Sequence, residues 1–191
     1  MLAVATVNAL AEMCWRRRPA PEAELRSGVD AYDAAGIGPG DKVVMVGAFV
    51  PFLKALKRRR QRWTALEMDA ATLKPDEMAH FRPADAAASV VPGADVVLIT
   101  GTTLLNDTLD GLLKLCRRDA RVVVVGPTVG LFPDAFLRRG VSVMGGIRIT
   151  ALGFDGVARG VRSGPSGIVV AGCSPCARAQ PSVPGKLCYQ K

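Results

Sequence analysis

Residues 95–126, DVVLITGTTLLNDTLDGLLKLCRRDARVVVVG, decide the fold. Asp95–Thr100 is rich in β-branched residues and apolar on both faces, the pattern of a strand covered on two sides. A polar turn, Thr100-Gly101-Thr102-Thr103-Leu104-Leu105-Asn106, follows. Asp107–Arg118 then reads as an amphipathic helix, with Leu109, Leu112, Leu113 and Cys116 at i, i+3, i+4 and i+7, capped by Asn106 or Asp107. Arg121–Gly126 returns to a strand apolar on both faces. Two such strands joined by a helix form a right-handed crossover unit of a parallel sheet.

The same alternation extends outward. Lys42–Gly47 is a strand, and Phe49–Arg60 a helix with Pro51 in its first turn and Phe52, Leu53 and Leu56 on one face. Trp63–Met68 is a second strand, followed by a polar, Pro-containing crossover over Asp69–Ala88 with one or two short helices. Pro133–Arg139 is a short helix ended by Gly140, and Val141–Met144 a last strand. The reading is α/β: a doubly wound, Rossmann-like parallel sheet of about five strands in the order 2-1-3-4-5. The long crossover marks where the chain reverses direction across the sheet.

Ligands in such sheets bind beyond the carboxyl ends of the strands at the switch point, which selects four loops. The first runs from Gly47 through Ala48 and Phe49 to Pro51, and the second is Glu67-Met68-Asp69. The third, Thr100–Thr108, sets Thr100, Thr102, Thr103, Asn106 and Thr108 around Gly101, more hydroxyl and amide groups than helix capping needs. The fourth is Gly126-Pro127-Thr128. Glu67 lies 20 residues after Gly47, the offset at which an acidic side chain meets a ribose hydroxyl, but G-x-G-x-x-G is absent. A dinucleotide is therefore disfavoured, whereas a nucleoside-type cofactor such as S-adenosylmethionine needs no such loop. Glu67 and Asp69, two apart at a strand end, are candidate hard-metal ligands. No Ser/His/Asp set is present, and His80, the one histidine, reads as a solvated crossover residue. The sequence does not say whether a reaction is catalysed.

With 25 Lys and Arg against 17 Asp and Glu, the formal charge is +8. Much of the basic charge gathers at helix ends (Lys57–Arg60, Arg117 and Arg118, Arg138 and Arg139), where it answers the helix dipole, with Arg16–Arg18 and a basic tail besides. The four loops carry Glu67, Asp69 and Asp107 and no Lys or Arg, which argues against nucleic acid as partner. No apolar run approaches the roughly 20 residues of a membrane span. The N-terminal apolar stretch lacks a basic leader, so neither membrane nor export is expected and the cytoplasm is the expected location. Cys14 and Cys116 read as buried small hydrophobes. After Ser163 the composition shifts to Ser, Pro, Gly and Cys, predicting a disordered tail whose Cys173-x-x-Cys176 and Cys188 give one thiolate fewer than a structural zinc site.

The run TGTTLLNDTLDGLL behind DVVLIT, then RVVVVGPT and GVSVMGGIRIT, with VGAFVPFLKAL and LEMD, resembles the putative heavy-metal chelation domain family. The resemblance covers about 41–162 and implies a Rossmann-like domain preceded by a smaller α+β domain similar to the enolase N-terminal domain, with a site in the cleft between them. It implies a metal ion or metal chelate as ligand. The positions matching the family pattern are Asn8, Gly47, Phe49, Glu67, Thr100, Gly101, Thr103, Asn106, Thr108, Gly126 and Pro127. AVATVNAL resembles the last helix of the first domain and sets Asn8 at the cleft. The strands of that domain do not precede it, so 1–38 is expected to be a helical remnant, 41–162 the Rossmann-like domain and 163–191 the tail. Three functions follow as expectations: a small-ligand or metal-chelate binding protein, a truncated non-catalytic remnant or partner-binding module, and a nucleoside-cofactor enzyme using S-adenosylmethionine or NAD. An apolar first helix without its domain favours homo-oligomers.

Overall fold

A computed structural model describes residues 2–17, 23–27, 29–148 and 166–172. Helix α1 (Leu2–Arg17) and strand β1 (Ala23–Ser27) come first, then the short helix α2 (Ala31–Ala34). The alternating unit follows: β2 (Lys42–Val46), α3 (Val50–Arg58), β3 (Arg62–Glu67), β4 (Phe81–Pro83), α4 (Ala87–Val90), β5 (Val96–Thr100), α5 (Leu109–Leu115), β6 (Arg121–Val125), α6 (Asp134–Arg138) and β7 (Val143–Arg148). Strand β8 (Ser166–Gly172) closes the described chain.

The sheet order is β1-β8-β7-β6-β5-β2-β3-β4. The six strands β2 to β7 are parallel, and β5 sits beside β2 after the crossover, as the long link predicts. The five strands read from sequence keep the order 2-1-3-4-5, and β4 adds a sixth at one edge. That strand is three residues long with exposed Arg82 and Pro83, too short and polar to signal itself. At the other edge β8 pairs antiparallel with β7, and β1 with β8. Ser166–Gly172 is thus a strand inside the segment whose composition predicts disorder: the apolar stretch Ile168–Ala171 finds partners on both sides. Residues 173–191, including Cys173, Cys176 and Cys188, lie outside the described residues.

Alternation along each strand splits the apolar residues into two layers. Val43, Met45, Ala65, Leu98 and Val123 face α2 and α3, where Tyr32, Phe52, Leu53 and Leu56 meet them. Val44, Leu66, Val97, Ile99 and Val124 face the other side, against Leu109, Leu112, Phe136 and Val141. Each fully buried aliphatic side chain contributes roughly 1.5–3 kcal/mol, so the pattern that identifies the strands also holds them in place. Helix α5 is shorter than its sequence pattern. Asp107 adopts a left-handed φ of 58°, the Thr108 N–H bonds to Thr103 O, and Thr108 rather than Asn106 or Asp107 is the N-cap. The two cysteines read as buried are less so: Cys14 on α1 is exposed and Cys116 is half-buried.

Candidate functional site

At the carboxyl ends of β2, β3 and β5 a cleft of about 620 Å³ opens toward α4 and α5. Gly47 ends β2 with φ 87°, and a Cβ there would lie 2.6 Å from Thr100 Cγ2. Both facts require glycine, and the second explains it without a pyrophosphate: the close approach is to the side chain on the neighbouring strand. The next amide is held from β3, because the Ala48 N–H donates to Glu67 Oε2 at 2.7 Å. The other Glu67 oxygen accepts the Met68 N–H at 2.8 Å. A carboxylate thus ties the ends of two strands together and is itself fixed in orientation.

The threonine loop after β5 folds on itself. Thr103 is 3% exposed and donates its hydroxyl to Thr100 O at 2.7 Å. The Thr102 hydroxyl bonds to Thr100 Oγ1 at 2.9 Å, and the Thr108 hydroxyl to Asn106 Oδ1 at 2.7 Å. The cleft therefore collects eight of the polar, glycine and aromatic residues selected from sequence: Gly47, Phe49, Glu67, Thr100, Thr102, Thr103, Asn106 and Thr108. Its far wall was not legible in the sequence. Ala84, Ala87, Gly111, Leu112 and Leu115 complete it from the crossover and α5. The only advance signal was that small residues interrupt these segments.

The other five selected residues form a neighbouring joint. The turn Pro127–Val129 follows Gly126 and lies against Gly101 and α1. Asn8 Nδ2 donates to Thr128 O at 3.2 Å. Asn8 Oδ1 and Thr128 Oγ1 are buried there without a hydrogen-bond partner among the described residues. Asn8, Gly101, Gly126, Pro127 and Thr128 brace the strand ends rather than line the cleft.

Asp69 also lies off the cleft. Its carboxylate accepts the Ala71 N–H at 2.9 Å and caps the turn Ala70–Thr72. Among the described residues no group of three or more His, Cys, Asp and Glu side chains could hold a metal ion. Glu67, already bound through both oxygens to backbone, is the single charged side chain on the cleft wall among the described residues. These residues do not fit a bare heavy-metal ion, which needs several anionic or imidazole donors.

His80 is structural rather than solvated: its ring stacks on Trp63 with centroids 3.9 Å apart, and Nδ1 lies 3.0 Å from Trp63 O. Many basic residues at the helix ends carry acidic partners. Lys57 binds Asp76 and Glu77, Arg59 binds Asp33, Arg117 binds Asp95, and Arg139 binds Asp110. Arg121 reaches Asp41 and the Gly36 carbonyl. Burial raises the Glu77 carboxyl, but the Lys74 N–H and the Lys57 ammonium outweigh it and hold it below the usual glutamate value. The Lys42 N–H and the Arg117 guanidinium hold Asp95 low.

Residues 30–173 match the sequence model of the DUF364 family, described as putative heavy-metal chelation. The chain belongs to this family. It is 30% identical over 115 residues to an uncharacterized protein of Methanocaldococcus jannaschii, covering 56% of this chain and 40% of that one. A DUF364 protein of unknown function from Pyrococcus horikoshii superposes with a TM-score of 0.69 at 19% identity, over 89% of this chain and 67% of the other. One from Desulfitobacterium hafniense gives 0.56 at 22%, over 76% and 58%. At such identities these structures support the DUF364 fold alone. The chain spans less than half of the curated relative. No helix among the described residues is long and apolar enough to cross a membrane.

Proposed function

We propose that this DUF364 chain binds a small organic molecule, a metal chelate among them, in the cleft at the carboxyl ends of β2, β3 and β5. The observation that carries this reading is the lining: one oriented carboxylate, a bank of threonine hydroxyls and an apolar far wall, with no Lys or Arg among the described residues. The family description names heavy-metal chelation, and the wall offers too few donors for a naked ion, so the metal would arrive with its own ligands. Glu67 and the Thr100–Thr108 loop orient the polar side of such a ligand, and Leu112 and Leu115 cover its apolar side.

The test is a thermal-shift panel of divalent metals, metal chelates and small polar molecules on the whole chain. A true ligand at a hundredfold excess over its Kd stabilises by about 2.7 kcal/mol, a rise of about 5–11 °C for a chain of this size. Bare metals alone raising the Tm, or a panel with no response, would sink the reading.

A second reading has its own observation. Helix α1 exposes Leu2, Val7, Leu10 and Met13. Under this reading α1 alone is the remnant of a first domain, since β1 and α2 join the sheet and its core, and the helix face associates with another protein surface or a second copy. Sedimentation of the whole chain as a monomer at micromolar concentration would count against it.

A further inference from the structure

We propose that the cleft takes an unphosphorylated purine nucleoside, with the ribose cis-diol on the Glu67 carboxylate and the base in the slot formed by Ala87, Gly111 and Leu115. This rests on the reading of the cleft as a small-molecule site and names the class of molecule.

The diol end follows from the state of Glu67. A carboxylate offers about four lone-pair positions. Ala48 N–H occupies one on Oε2 and Met68 N–H one on Oε1, so each oxygen keeps an acceptor position. Two acceptors side by side on one fixed group match two vicinal hydroxyl donors. The backbone bonds also remove the rotamer freedom that a solvated glutamate would lose on binding. The placement, at the end of the strand beside β2, is where doubly wound folds meet a ribose.

The base end follows from the far wall. Ala84, Ala87 and Gly111 are the small residues of that wall, and a Cβ on Gly111 would meet nothing within 4 Å. With Leu115 they leave apolar room for a base, and the whole cleft, at about 620 Å³, falls within the roughly 300–1,000 Å³ of small-molecule sites.

Phosphate is excluded by three features. Among the described residues the lining has no Lys or Arg. Its one charge is negative. The β2 turn, which would cradle a pyrophosphate in a dinucleotide site, turns its glycine against Thr100 Cγ2 and carries Phe49 in the cleft. Free nucleosides and sulfonium nucleosides share the required chemistry, and the acidic lining favours the cationic member.

The experiment is calorimetric titration of the full chain with adenosine, S-adenosylmethionine, 2′-deoxyadenosine, AMP and NAD. Adenosine or S-adenosylmethionine should bind, with the tighter of the two naming the source. 2′-Deoxyadenosine should bind roughly tenfold more weakly or worse, the loss expected when a charge-assisted hydrogen bond is removed. AMP and NAD should bind more weakly than adenosine. Glu67→Gln should cost a similar factor. Because that change could loosen the β2 turn, Gly111→Leu, which fills the slot from an exposed helix position, should abolish binding without lowering the Tm. Equal binding of 2′-deoxyadenosine, tighter binding of AMP, or retention of adenosine binding by Gly111→Leu overturns the assignment. If a metal chelate binds and Gly111→Leu blocks it while no nucleoside binds, the nucleoside class falls and the cleft stands as a small-molecule site. If nothing binds, both fall.

Discussion

Gly101→Ala should destabilise the chain, against the usual direction of a glycine-to-alanine change. Where alanine fits, it stabilises by about 0.4–1 kcal/mol, through the reduced freedom of the unfolded chain. At Gly101 it does not fit. The added Cβ would lie 2.5 Å from Val129 Cγ2, closer still to Thr128 Oγ1, and 3.3 Å from the Val125 carbonyl oxygen. Thr128 can turn its hydroxyl aside. Val129 cannot yield in the same way, because it is 2% exposed and its β-branched side chain has one comfortable rotamer in a packed site. The turn Pro127–Val129 must therefore move away from the end of β5. Overpacking of this kind costs about 1–3 kcal/mol, or a Tm drop of about 2–12 °C for a chain of this length. Urea denaturation monitored by circular dichroism measures it. Two comparisons isolate the cause. Gly111→Ala, into open space in α5, should stabilise by about 0.5–1 kcal/mol. Val129→Ala combined with Gly101→Ala should cost less than the sum of the single changes, since it removes the atom that collides. A Gly101→Ala chain as stable as the parent, or strictly additive with Val129→Ala, would refute the reasoning.

Ile99→Ala, at a residue with 0% exposure between β2 and β6, should cost about 2–5 kcal/mol in the same denaturation assay. His80→Ala should remove about 0.5–1.5 kcal/mol for the bond to Trp63 O and alter the Trp63 fluorescence, because the ring stacked on the indole is lost. Acid should weaken the fold with a defined sign. Glu77 and Asp95 lie below their ordinary values of 4.5 and 3.8 in the folded chain, so their stabilisation is complete above those values and is lost as the pH falls through the lower folded ones. Denaturation midpoints measured from pH 6 to pH 2 should decline below about 4.5, and Glu77→Gln should flatten that decline while lowering stability at neutral pH.

What the sequence reveals here depends on how local its cause is. KVVMV, VVLIT and RVVVV are apolar on both faces, and only a covered parallel sheet accommodates three such runs separated by helices. Strand β4 is invisible because its backbone pairing with β3, not its side chains, makes it a strand. Strand β8 is hidden by the serine, proline and glycine around its four apolar residues. The strand-end loops were legible because the carboxyl-end rule needs only strand order. The wall from Ala84 to Leu115 was not, since it requires knowing how α4 and α5 fold back over the sheet. The same topology places the basic helix ends away from a cleft that has no Lys or Arg among the described residues. In a right-handed crossover the helix runs opposite to its strands, so its last turn, where Lys57 and Arg58, Lys114 and Arg138 sit, lies at the edge where strands begin. Strand carboxyl ends then face helix amino ends, which need no basic side chain. Most of the net charge lies in residues 148–191, where six Lys and Arg face Asp155 alone, while the basic residues at the strand-start edge match helix dipoles and pair with acids. The cleft opens at the other edge, beside a carboxylate and its hydroxyl neighbours.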